Sequence, residues 1–158
     1  MTDTAWPNAS RFPPLAPELA RAWQGFPNLD RPIFPKFVGL VLEEVRQDYA
    51  RMRLPHRAEL NQPAGVMHGG AIATLIDTSV VPAIAGDRAE RRMLFTIDMH
   101  VAYLAPIAGE DAIAEAWVEK RGRSIAFCRV EVRTASGELA STASLVYKVS
   151  SRAIPVPA

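Results

Sequence analysis

The sequence predicts an α+β domain in which one long helix covers one face of an antiparallel sheet. Strand-like patterns rich in Val, Ile and aromatic residues, most with two-residue alternation, recur six times along the chain. A single window, His68 to Ala85, carries helical spacing, with Ile72, Leu75, Ile76, Ser79 and Ala83 in one apolar stripe. The links between the later strands are of hairpin length, which antiparallel pairs allow and parallel pairs do not. A lone helix must bury its stripe against the sheet. The expected order is therefore strand, strand, helix, then four strands.

Each element has its own justification. Seven of the 13 prolines fall in the first 35 residues, which limits regular structure there. One short helix fits near Pro17 to Gln24, with Pro17 in its first turn and Gly25 at its end. Residues 1–35 read as an extension ordered on the surface, the alternative being a partly disordered tail. The main domain is expected over 36–149. Lys36 to Arg46 is rich in Val and Leu, and Tyr49 to Arg57 sets Ala50, Met52 and Leu54 against Arg51 and Arg53. A loop with Gly and Pro over 61–65 leads to the helix. Pro82 has no N–H for the carbonyl of Thr78, which predicts a kink or an early end near Val81. Met93 to Ala105 sets Met93, Phe95, Ile97, Met99, Val101 and Tyr103 against a mixed face on which Thr96, Asp98 and His100 fall together. Asp111 to Arg121, Ser124 to Thr134 and Glu138 to Val149 follow, joined by turns at Arg121-Gly122-Arg123 and Ser136-Gly137. Residues 150–158 carry two prolines and are expected to be a loose tail.

Composition excludes several function classes. The chain has 158 residues, 49% apolar and 22% charged, which is ordinary for one globular domain. Its net charge of +1 gives no basic field for nucleic acid. The single cysteine, Cys128, rules out an internal disulfide and a zinc site built on paired cysteines. The N-terminus shows no secretory signal pattern. The least charged stretch, 65–86, holds Asp77 near its centre, and a charge there costs about 3 kcal/mol in a membrane. A soluble, cytoplasmic protein is expected.

The chemistry concentrates in the same stretch. Asp77 is its one ionised side chain, flanked at helical spacing by Ala73, Thr74, Val80 and Val81. An acid in that setting needs a partner or a cleft; it is either a functional group or a carboxylate tied to a core hydroxyl. His68-Gly69-Gly70 puts two small residues at the helix start, where free N–H groups stabilise an oxygen gaining negative charge. Asp77 lies nine residues beyond His68, about 13 Å along the axis at roughly 1.5 Å per residue. One protomer therefore cannot bring both to one reacting atom, and a site using both needs a second copy of the chain.

These residues resemble a known family. Asn61-Gln62-Pro63-Ala64-Gly65-Val66-Met67-His68-Gly69-Gly70, followed by Ala71 to Leu75 and Ile76-Asp77, resembles the hotdog-fold acyl-CoA thioesterases of the phenylacetate-pathway (PaaI-like) type. Phe95 to Pro106 resembles that family's strand after the helix, and Arg121-Gly122-Arg123-Ser124 its next turn. The resemblance implies a long helix wrapped by an antiparallel sheet. It also implies a homodimer with sites at the interface, or a homotetramer built from dimers. The substrate it implies is an acyl- or arylacyl-CoA, cleaved to free acid and coenzyme A. Asp77 then acts as general base or nucleophile, the Gly69 N–H polarises the carbonyl, and His68 orients that group. Asn61 or Gln62 holds the thioester or the water, since Gln62-Pro63 lengthens the loop by one residue. Thr96 stands where the family places a hydroxyl beside the water.

The remaining candidates are weaker. Gly70 adds to the helix start, and Arg91, Arg92, Arg121, Gly122 and Arg123 (with Arg88) can meet the phosphates of coenzyme A or simply be solvated. No metal or cofactor is expected, because a thioester is already electrophilic and thiolate leaves readily. The spacing of His56, His68 and His100 matches no metal motif. Two alternatives remain: a non-hydrolytic acyl-CoA binding or sensing module, for which Asp77 has no use, and a hydratase or dehydratase, for which no matching acid–base pair is seen.

Overall fold

A computed structural model describes residues 6–88 and 90–153. Residues 1–5 of the expected extension, 154–158 of the expected tail, and Ala89 lie outside the described residues. The helices are α1 (Pro17–Ala22), α2 (Phe34–Val38) and α3 (Gly69–Ala85), with short 3-10 turns at Ala9–Arg11 and Ala58–Leu60. The strands are β1 (Val41–Arg46), β2 (Tyr49–Leu54), β3 (Arg92–Tyr103), β4 (Ala112–Arg121), β5 (Ile125–Thr134) and β6 (Leu139–Ala153).

The six strands form one antiparallel sheet in the order β1-β2-β4-β5-β6-β3. α3 packs on one face of it. Ile72, Leu75, Ile76, Val80, Ala83 and Ile84 meet Met52, Leu54, Val130 and Leu145 in one buried cluster. The alanines at 112, 114 and 116 of β4 belong to that cluster, and their small side chains let the helix sit close. Cys128 lies there too, and burial pushes its thiol up to about 12.

Several expectations needed correction. The first strand begins at Val41, not Lys36, because Pro35 starts a helical turn that Gly39 ends at φ 88°. The boundary expected at residue 36 thus falls inside α2. Strand β2 stops at Leu54, before Pro55, rather than at Arg57. α3 does not end near Val81. It runs to Ala85 with Pro82 inside it, since Val80, Pro82, Ala83, Ile84 and Ala85 are all buried. Their burial outweighs one missing hydrogen bond, a loss of about 3 kcal/mol. The stretch expected to begin a loose tail is strand as far as Ala153, which pairs with Arg92.

The other face of the sheet carries the extension. Ala9 and Phe12 pack on Tyr49 and Trp117, with the Phe12 and Tyr49 rings stacked at 5.3 Å. Beneath them Glu115, 1% exposed, accepts hydrogen bonds from the Asn8 backbone N–H (3.3 Å), the Asn8 side-chain amide (3.2 Å) and the Tyr49 hydroxyl (2.8 Å). Both faces of β4 are therefore buried from Ala112 to Trp117.

A bulge in β3 positions the site. Thr96 pairs with Tyr147, but Asp98 pairs with Val146, so one extra residue sits between them. Leu94 before the bulge and Met99 and Val101 after it pack on the core, while Met93, Phe95 and Ile97 are exposed. The expected continuous apolar face is thus split. Thr96 turns toward α3 and does not share a face with Asp98 and His100.

Candidate functional site

The candidate residues gather at two places along α3. The first is its middle. Asp77 Oδ1 accepts one hydrogen bond from the Thr96 hydroxyl at 2.8 Å and one from the Tyr147 hydroxyl at 2.5 Å. The Tyr147 hydroxyl also lies 2.8 Å from the Asp77 backbone oxygen, so it pins the residue at both ends. Oδ2 has no partner among the described residues. Tyr147 is 2% exposed, and burial together with the Asp77 carboxylate raises its phenol well above the ordinary value. It stays protonated and donates. The arrangement is a half-buried carboxylate with one oxygen held by two hydroxyls and the other open.

The second place is the N-terminus of α3. His68 caps it: Nδ1 accepts the Gly70 N–H at 2.8 Å. The Ala71 and Ile72 N–H groups reach the His68 carbonyl. Gly70 therefore has no N–H to offer, whereas the Gly69 N–H has no acceptor among the described residues. Tyr103 donates to the Gly69 carbonyl at 2.8 Å, and a Cβ on Gly69 would stand 3.2 Å from its ring. A larger residue there would need the Tyr103 ring to shift by a few tenths of an ångström. Gln62, Gly69, Ile72 and Tyr103 line a cavity of about 350 Å³. The Gln62 side-chain oxygen accepts from the Ala64 N–H, while Asn61 Oδ1 is buried without a partner. Gln62, not Asn61, borders the cavity beside Gly69.

The expected phosphate-binding arginines sit at the opposite end of α3, mostly engaged. Arg121 donates to the Ile84 carbonyl at 3.0 Å and pairs with Asp48, which fastens the helix C-terminus to the sheet. Arg91 donates to the Ala22 carbonyl at 2.6 Å and covers the Trp23 ring at 5.2 Å. Arg92 lies near the Ser150 carbonyl and Glu90. Gly122 closes the β4–β5 hairpin by donating to the Ile125 carbonyl. Arg123 is exposed and makes no such contact among the described residues.

Two contributors escaped sequence reasoning, Tyr147 and Tyr103. Both lie on strands where an aromatic residue reads as packing, and each meets its partner across a long loop of chain. His56, His68 and His100 form no metal-holding group; among the described residues no three His, Cys, Asp or Glu side chains do. No helix among those residues is long and apolar enough to cross a membrane.

Known proteins share this design. The family model described as the thioesterase superfamily matches residues 64–141. A provisionally named esterase of Halobacterium salinarum is 34% identical over 103 residues, which cover 62% of this chain and 68% of that one. The medium/long-chain acyl-CoA thioesterase YigI of Escherichia coli is 25% identical over 131 residues, covering 73% and 84%. Among solved structures, the E. coli PaaI protein from the phenylacetic acid degradation operon superposes with a TM-score of 0.70 at 17% identity, covering 77% of this chain and 86% of that one. Thioesterase HI1161 of Haemophilus influenzae gives 0.69 at 23% identity, covering 73% and 81%. The fold they share is the hotdog arrangement expected from the sequence.

Proposed function

The chain belongs to the thioesterase superfamily as a hotdog-fold thioester hydrolase, and on that premise we propose that it cleaves acyl-CoA to free acid and coenzyme A. Asp77 activates water, and the partner subunit's Gly69 holds the carbonyl oxygen. The observation that carries this reading is the Asp77 carboxylate, with Oδ1 held by Thr96 and Tyr147 and Oδ2 open.

Each step uses a group already placed. Water attacks the thioester carbon while Asp77 Oδ2 takes its proton. The carbonyl oxygen becomes negative and is stabilised by the Gly69 N–H at the positive end of the α3 dipole. Collapse breaks the C–S bond, and the thiolate leaves with the proton that Asp77 carried. Alternatively Oδ2 attacks directly and water then hydrolyses the anhydride. A single turnover in heavy-oxygen water separates the two, since only direct attack labels Asp77. Neither route calls for a metal or cofactor; coenzyme A is part of the substrate. Gln62 borders the space beside Gly69 and is positioned to hold the thioester or water. For the phosphates, Arg123 is an exposed arginine without a side-chain partner among the described residues.

The geometry supports a second copy. Among the described residues β3 lies at the sheet edge, paired with β6 alone, and its outer edge can pair again. Antiparallel pairing of two β3 strands about a two-fold near Met99 sets Tyr103 opposite Phe95 of the other copy, next to Thr96. Tyr103 carries Gly69 with it. This supports a homodimer with composite sites, from which a homotetramer can be built.

The test is release of free thiol from aromatic and straight-chain acyl-CoAs by wild type and Asp77→Asn, with oligomer mass measured beside it. Loss of a general base is expected to lower turnover about 10²–10⁴-fold. Equal turnover in both proteins refutes the role of Asp77.

A further inference from the structure

We propose that the N-terminal extension closes the acyl subsite, and that Trp23 and Phe26 set the length of apolar chain it accepts. This rests on the reading of Asp77 as the thioester-cleaving group.

Asp77, Val81 and Ala85 follow one another at four-residue spacing along the same side of α3. Thr96 and Leu94 alternate on the helix-facing side of β3, on the same side of the bulge. These two rows run from the Asp77–Thr96 hydrogen bond toward a cavity of about 230 Å³, which begins one helical turn beyond Asp77, at Val81. Val81, Ala85 and Leu94 line it from the domain, and Trp23, Phe26 and Leu29 close it from the extension, with Arg31, Arg91 and Arg92 also in its lining. The family match covers 64–141 only, so these three closing residues lie outside it.

The closing wall is built rather than draped. Trp23 is 7% exposed and packs edge-on against Phe26 at 5.4 Å. Arg91, from the segment leading into β3, stacks on Trp23 and holds the α1 C-terminus through the Ala22 carbonyl. The end wall is thereby tied to the strand that carries Thr96.

The dimensions select the ligand. From Asp77 to Ala85 is eight residues, about 12 Å at 1.5 Å per residue. An extended alkyl chain advances about 1.3 Å per carbon, given a C–C bond of about 1.5 Å. A chain laid along these rows therefore extends roughly nine carbons beyond the thioester carbonyl before it reaches Ala85 and the aromatic wall. The preferred substrate is a medium-length, unbranched, apolar acyl group.

The test compares kcat/KM for butanoyl-, decanoyl- and hexadecanoyl-CoA in wild type, Phe26→Ala and Leu29→Trp. Wild type should favour decanoyl-CoA. Phe26→Ala opens the wall and should raise the hexadecanoyl-to-decanoyl ratio about tenfold. Leu29→Trp fills the cavity and should lower the decanoyl-to-butanoyl ratio by at least about tenfold, the scale of one or two misplaced methylenes in a pocket. Ratios are unaffected by the fraction folded, so a destabilised variant still reports. Identical ratios in all three proteins overturn the proposal while leaving the hydrolase reading intact. If wild type hydrolyses none of these or the aromatic acyl-CoAs, it is the reading of Asp77 that fails.

Discussion

Removing the two hydroxyls that hold Asp77, singly and together, tests the core of the proposed mechanism. Tyr147→Phe keeps the buried ring and deletes only the donor; Thr96→Val keeps the shape of the side chain. A hydrogen bond to a charged acceptor contributes about 1.5–3 kcal/mol, and about 1.4 kcal/mol is tenfold in rate. Both donors act on the same oxygen, Oδ1. With one gone the other still anchors the carboxylate, so each single variant should lose about tenfold in kcat, near the low end. With both gone Oδ1 swings free and Oδ2 is no longer aimed. The double variant should therefore lose about 10³-fold, beyond the roughly 100-fold product, because residues sharing a partner couple by about 0.5–3 kcal/mol. The assay is free-thiol release from decanoyl-CoA under saturation, run well below melting, since Tyr147→Phe should lower Tm by about 2–4 °C per kcal/mol lost. Singles within twofold of wild type, or a double equal to the product of the singles, would refute joint anchoring.

Two further outcomes are expected. Gly69→Ala puts a Cβ 3.2 Å from the Tyr103 ring, presses on the contact that holds the proposed oxyanion donor and should lower kcat about tenfold or more with little change in secondary structure by circular dichroism; wild-type kcat would show that the close approach is dispensable. Alkaline pH should unfold the protein through Tyr49 and Tyr147. Burial, with Glu115 beside one and Asp77 beside the other, raises both phenols above their ordinary value of 10.0. Below that pH both states keep these protons; above it the unfolded chain releases them and the folded chain does not, so stability falls as pH rises by up to about 1.4 kcal/mol per pH unit per group. Urea midpoints measured from about pH 9 to 12 should drop steeply, and less so in Tyr49→Phe; a flat profile contradicts the shifts.

The helix, its glycine start and Asp77 were legible because an acid and two glycines stand out in an otherwise apolar stretch. The sheet was legible from alternation and its two hairpin turns. What was not legible depended on contacts between distant segments. Tyr147 alternates with Leu145 and Val149 and reads as core, yet its hydroxyl finds Asp77 70 residues away. The β3 bulge carries no glycine or proline to announce it. α2 did leave a signal, Pro35 at its start and Gly39 at its end, masked by the Val- and Leu-rich run around it. Ser150-Ser151-Arg152 is polar and resembles a tail, but β3 is long enough to keep it in the sheet.

The extra residue in β3 changes the parity of that strand at Ile97. Residues on either side of Ile97 obey opposite rules for which side chain faces inward. A substitution at Ile97, 56% exposed, disturbs little of this. Deleting Ile97 joins Thr96 directly to Asp98 and leaves Thr96, Met99 and Val101 facing inward, so the deletion removes the bend and not the facing. With Ile97 present but forced into regular pairing, either Thr96 or Met99 and Val101 would turn away from α3, so the bulge is what lets both stretches of the strand face the helix.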